Sequence, residues 1–158
     1  MQQNKQLTIN YSMYELSELT PEDRELVDKA MQMTEASYAP YSNFHVGAAL
    51  RLENGVVVGG CNQENAVLPA GVCAERSAIF SAGAQYPDQA VTKLAIAARA
   101  GDGKLTEQPV SPCGICRQVM VETETRFQQP MRILLYGETG VYVIDGIKEL
   151  MPLAFTEF

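Results

Sequence analysis

Hydrophobic residues recur along this chain with two periods, one near 3.6 residues and one near two, which separate helices from strands. Leu26, Ala30, Met33 and Ala36 fall at helical spacing. Thr20 can cap that segment, Pro21 suits a first helical position, and Glu22 and Asp23 face the positive end of the dipole. Pro40 marks a stop, so a helix is predicted between Thr20 and Pro40. Residues 46–52 and 56–61 read as two strands joined by Glu53-Asn54-Gly55, because Asn-Gly readily takes up the positive φ of a tight hairpin. Residues 62–72 carry Asn, Pro and Gly with no period and read as a loop. Helices are predicted over 73–84, rich in small helix formers, and over 113–127, with Ile115, Val119, Met120 and Thr123 on one side. Residues 101–112 form a polar loop, while 93–98, 132–136 and 141–144 are short apolar runs that read as strands. Residues 147–153 read as a last short helix.

Strands and helices thus alternate after an opening hairpin, the pattern of an α/β domain built on a largely buried mixed sheet. Residues 1–19 are polar and weakly patterned, and read as a partly ordered extension ahead of a single domain over residues 20–158.

Composition narrows the classes. A chain of 158 residues, 46% hydrophobic, suits one core. Twelve Lys and Arg stand against nineteen Asp and Glu, a net charge of −7, and no two basic residues are adjacent. That argues against nucleic acid, whose binders neutralise phosphates with clustered Lys and Arg. No apolar run approaches the roughly 20 residues that cross a bilayer, so no membrane partner is expected. The polar start does not resemble a secretory leader, and a reducing cytoplasm is the expected location.

The candidate chemistry lies in the cysteines. Cys73 and Cys113 each open a predicted helix, and Cys116 follows Cys113 by three residues, so both can share one face of a first turn. Free N–H groups and the dipole at a helix start favour anions and lower a cysteine's pKa toward the thiolate that binds metal. Two such starts side by side would present three thiolates, leaving a tetrahedral zinc one open position, as catalytic sites do. Cys61, at the end of a strand, reads as a small buried hydrophobe, with a closed four-ligand structural site as the alternative. Glu75, two residues after Cys73, can reach a water on such a metal and move its proton; alone it would be an ordinary first-turn charge. A redox pair at Cys113 and Cys116 is a further reading, one that leaves Cys73-Ala74-Glu75 without a role.

Cys-x-Glu followed by Pro-Cys-x-x-Cys is a pattern of zinc deaminases. Together with YAPYSNFHVGAAL (38–50), GCNQENA (60–66), CAERSA (73–78) and SPCGICRQVM (111–120), it makes the chain resemble the small cytidine deaminases that act on free nucleosides. The resemblance covers most of the chain from Tyr38 onward. It implies a three-layer α/β/α fold around a mixed sheet, with one Zn²⁺ per chain held by Cys73, Cys113 and Cys116. It further implies hydrolytic deamination of cytidine and 2′-deoxycytidine at C4, with Glu75 carrying the proton from water to N3 and then to the departing ammonia.

Three thiolates leave a zinc formally at −1, so charge must be drawn from the sulfurs. Arg76 and Gln118 match family positions suited to donate hydrogen bonds to them. Asn62 and Glu64 resemble the family's ribose-hydroxyl binders, Phe44 the residue that packs on the pyrimidine, and Ala74 a backbone donor to the base carbonyl. Phe155 resembles a C-terminal aromatic that enters a neighbouring subunit's site, with packing on its own core as the alternative. Leu68 departs from the aromatic common at its position. The resemblance implies a homotetramer with sites near subunit boundaries and a small pyrimidine nucleoside as substrate. A polynucleotide-editing deaminase would need a basic path for a polyanion, which scattered Lys and Arg do not make.

Overall fold

A computed structural model describes residues 1–158. The strands are β1 (Ser12–Tyr14), β2 (His45–Leu52), β3 (Val57–Cys61), β4 (Val91–Arg99), β5 (Arg132–Gly137) and β6 (Gly140–Asp145). The α-helices are α1 (Pro21–Met33), α2 (Ala74–Gln85) and α3 (Gly114–Phe127). All six strands join one sheet in the order β1-β6-β5-β4-β2-β3. The β4–β5 pair is parallel and every other pair is antiparallel, as expected of a mixed sheet.

Side chains on successive strand positions point to opposite faces, and both faces are apolar here. On one face Leu50, Leu94, Ile96, Ile133 and Leu135 pack with Ala78 and Ile79 of α2 and with Met120 of α3. On the other, Ala49, Ala95, Ala97, Leu134 and Val143 pack under Leu26, Val27 and Ala30 of α1. The result is the three-layer α/β/α arrangement. The α1 face is paved with small residues because the helix lies close: a Cβ on Gly47 would fall 2.1 Å from the Ala30 carbonyl oxygen. Thr20 caps α1 by accepting from the Asp23 N–H at 3.2 Å. Asp23, almost wholly buried, binds Lys93 of β4 at 2.7 Å and Arg132 of β5 at 3.0 Å, which anchors the start of the helix to two central strands. Burial pushes this carboxyl up, but the hydrogen bonds and charges of Lys93 and Arg132 outweigh it and hold Asp23 below its ordinary range.

Two elements differ from expectation. Part of the N-terminal extension is strand, since Ser12–Tyr14 pair with Val143–Val141 at the sheet edge. Leu7, Ile9, Tyr11 and Met13 do alternate with polar neighbours, but each is more than half exposed, so no buried face marks the strand. The last predicted helix is a single 3-10 turn, Ile147–Glu149. It follows Gly146 at φ +99°, and Pro152 has no N–H with which to extend the ladder.

Candidate active site

Cys73 and Cys113 occupy the cap positions of α2 and α3, both in extended backbone, with Cys116 in the first turn of α3. The three sulfurs lie within 4.8 Å of one another, and Cys73 and Cys113 are 3.9 Å apart. Two local features hold them there. The Cys113 sulfur accepts from the Cys116 N–H at 3.5 Å, which fixes the start of α3. On β3, Gly60 lets α2 settle on the sheet: a Cβ there would lie 2.5 Å from the Ala78 nitrogen and 2.7 Å from the Ala74 carbonyl oxygen.

The sulfurs are unequal. Cys113 is exposed, Cys73 half-buried and Cys116 fully buried. Among the protein's own groups Cys73 is the readiest thiolate, brought down to about 5 by the Cys116 thiol, then by the Arg76 guanidinium, against burial. The shared hydrogen bond and burial raise Cys116 correspondingly. Arg76 donates from Nη2 to the Cys73 sulfur at 3.6 Å, the contact expected of it. Glu75 keeps only 5% of its surface exposed, and burial, with the Cys73 charge adding to it, pushes its carboxyl above the ordinary range.

These groups open into a cleft of about 420 Å³. Phe44, Asn62, Glu64, Ala74 and Leu68 line it together with Cys73, Cys113, Glu75 and Arg76. The 62–72 segment, expected to be a plain loop, is tied down by backbone pairing of Gln63 with Val72 at 3.0 and 2.9 Å and by a 3-10 turn at Leu68–Ala70. Asn62 uses both ends of its amide on the backbone, accepting from the Val46 N–H at 2.8 Å and donating to the Phe44 carbonyl at 2.9 Å.

Comparison with known proteins decides the family. The profile of the cytidine and deoxycytidylate deaminase zinc-binding region matches residues 20–128. The chain belongs to that deaminase family. It is 41% identical to a cytidine deaminase of Halalkalibacterium halodurans, covering 83% of this chain and 92% of the relative. It is 43% identical to one from Sporosarcina psychrophila, covering 84% and 90%. The crystal structure of a cytidine deaminase from Burkholderia pseudomallei, 38% identical, superposes with a TM-score of 0.72 over 87% of this chain and all of that one.

This deaminase is accordingly a zinc-dependent hydrolase with one Zn²⁺ per chain. Its donor set fits the metal, because a tetrahedral zinc with Zn–S bonds of about 2.3 Å spaces its sulfurs about 3.8 Å apart, close to the 3.9 Å between Cys73 and Cys113. Cys61 stands apart, buried, with the Gln63 amide donating to its sulfur at 3.2 Å, and is not in the cluster. A four-cysteine closed site is therefore not built.

One expected contact, that of Gln118, falls elsewhere. Gln118 does not donate to a sulfur; its Nε2 donates to the Phe155 carbonyl at 3.1 Å, because the C-terminal segment crosses that part of α3. Phe155 neither lines its own chain's cleft nor packs in its own core, being 64% exposed and in contact with Phe158. Sequence reasoning missed Ser42, Val110 and Ser111, which also line the cleft. Ser42 lies inside the 38–50 segment that carries the resemblance, and that placement was the available signal.

Proposed function

We propose that this deaminase converts free cytidine and 2′-deoxycytidine to uridine and 2′-deoxyuridine, releasing ammonia. One observation carries the reading: a three-sulfur cluster and the buried Glu75 share a cleft with Phe44, Asn62 and Glu64, so a metal, a proton carrier and sugar- and base-binding groups face one volume. The names of the relatives support the same substrate.

Cys73, Cys113 and Cys116 would hold the zinc, which supplies Lewis acidity that makes water a better nucleophile. Glu75 would take a proton from the attacking water and place it on N3 of the base, and then carry the second proton, from the hydroxyl added at C4, to the exocyclic nitrogen as it leaves. Burial, which raises its carboxyl above the ordinary range, favours the protonated form that such a proton carrier must adopt and then give up. Arg76 draws charge from the Cys73 sulfur. The Ala74 N–H, at the first position of α2, has no carbonyl partner within the helix and is a donor for the base carbonyl. Phe44 packs on the pyrimidine. Glu64 takes a sugar hydroxyl, and Asn62 uses its remaining N–H and lone pair on the same edge while bracing the segment that carries Phe44.

The exposed Phe155 supports a homotetramer in which this ring completes a neighbour's cleft. Four cysteines with no disulfide among them suit a cytoplasmic site of action. The test is to measure zinc per chain and ammonia release from cytidine, 2′-deoxycytidine and single-stranded DNA. Zinc near one per chain with release from both nucleosides and none from DNA is expected. A zinc-loaded enzyme that releases ammonia from neither nucleoside overturns the reading.

A further inference from the structure

Ser42 lies two residues before Phe44, on the stretch that leads into β2, and faces Glu64 across the cleft wall. Its Oγ donates to Glu64 Oε1 at 2.8 Å and accepts from the Phe44 N–H at 3.1 Å. Its backbone N–H reaches the same carboxylate, at 3.1 Å to Oε1 and 3.3 Å to Oε2. A serine hydroxyl has one proton, and here that proton goes to the carboxylate while a lone pair receives Phe44. One hydroxyl therefore couples the groups proposed to hold the sugar and the base, although Ser42 and Glu64 are 22 residues apart in the chain.

The arrangement also divides the carboxylate. Oε1 takes two short bonds from residue 42, whereas Oε2 takes only the longest contact and keeps acceptor capacity for an incoming hydroxyl. A half-buried glutamate without such donors would sample several rotamers, and ordering it at binding would weaken affinity. None of the hydrogen bonds made by Ser42 goes to Glu75 or to a cysteine.

We propose that Ser42 is a positioning residue for nucleoside recognition, aiming Glu64 at the sugar hydroxyls and fixing Phe44 beside the base. This rests on the nucleoside reading of the cleft. Its effect falls on KM rather than kcat, and more on a hydroxylated sugar than on one without hydroxyls.

The test is steady-state kinetics on zinc-loaded wild type, Ser42→Ala, Ser42→Cys, Ser42→Thr, Glu64→Gln and the Ser42→Ala/Glu64→Gln pair. Cytidine is the substrate, and 2′,3′-dideoxycytidine is read as substrate or competitive inhibitor. In Ser42→Ala, KM for cytidine rises about tenfold and kcat stays within about twofold, the scale of a lost hydrogen bond to a charged group. Ser42→Cys, similar in size but a weak donor, shifts KM the same way, and Ser42→Thr restores it. Binding of the dideoxynucleoside weakens by about threefold or less, and Ser42→Ala adds less than about threefold to Glu64→Gln, because the two act as one unit. An unchanged KM in Ser42→Ala, equal weakening for both nucleosides, or full additivity overturns the role of Ser42 while leaving the nucleoside reading in place. Failure of the zinc-loaded wild type to turn over cytidine overturns that reading, and this inference with it.

Discussion

At one end of the cleft three sulfurs and Glu75 stand on the first turns of α2 and α3, and the glutamate is nearly sealed from water. At the other end Phe44, Asn62 and Glu64 stand on connecting segments and are all half-buried. The first group is placed by helix starts packed on the sheet, with Gly60 removing the one side chain that would hold α2 away. The second is placed by small sets of hydrogen bonds between segments, Asn62 to Phe44 and Val46, and Ser42 to Glu64. The contrast fits the work proposed for each end. Proton transfer and metal binding need fixed distances and low polarity, which helices packed on a core provide. Recognition of a polar sugar can be done from the rim, where donors and acceptors stay partly wet.

Breaking the metal end has the largest effect. Cys113→Ala removes an exposed proposed ligand without opening the core, so zinc content should fall and activity on cytidine drop by about 10⁴ or more, while the fold persists. Metal analysis beside circular dichroism checks this, and an active, zinc-loaded variant would erase the distinction between the ends. Gly60→Ala sharpens it from beneath. The added Cβ meets the α2 backbone, costs about 1–3 kcal/mol, and lowers Tm and zinc retention together.

Asp23 offers the comparison's control, since it anchors α1 on the opposite face of the sheet. Asp23→Asn costs about 1–3 kcal/mol, below a fully buried pair because Lys93 and Arg132 stay partly exposed, and leaves kcat and KM for cytidine as they are. The pH dependence has a definite sign. Asp23 is held below its ordinary value of 3.8, so its contribution is complete above that pH and is lost as pH falls through the lower native value. The stability gap between wild type and Asp23→Asn, followed by denaturant midpoints, therefore closes on acidification, holds through neutral pH, and narrows again only in strong alkali, where Lys93, held above its ordinary value by Asp23 and Glu22 against burial, loses its proton.

The same contrast explains what could be read from the sequence. Cys73-Ala74-Glu75 and Pro112-Cys113-x-x-Cys116 are local spacings on helix starts, and local spacing survives in a linear text. The apolar periods of α1, β2, β4 and β5 are equally local, and those elements stand where the pattern put them, except that α1 ends at Met33 and tightens into a 3-10 turn over Thr34–Ala36 before Pro40. Ser42 was missed because its meaning lies in a bond to a residue 22 positions away, and its place inside the 38–50 segment does not say what it touches. Gln118 sits one residue beyond Arg117 on α3, but its partner is the Phe155 carbonyl, and the path of a terminal segment is not written in its side chains. β1 was missed because its alternating residues face solvent, so it lacks the buried face that normally betrays a strand.

Glu75 is proposed to do the proton work at the metal end without holding the metal. Glu75→Gln keeps the size and burial of the side chain and removes its ability to carry a proton, so zinc per chain and kcat on cytidine should separate. Zinc near one per chain is expected in both proteins, with a kcat lower in the variant by about a thousandfold or more. A Glu75→Gln enzyme that binds zinc and turns over cytidine at the wild-type rate would contradict it.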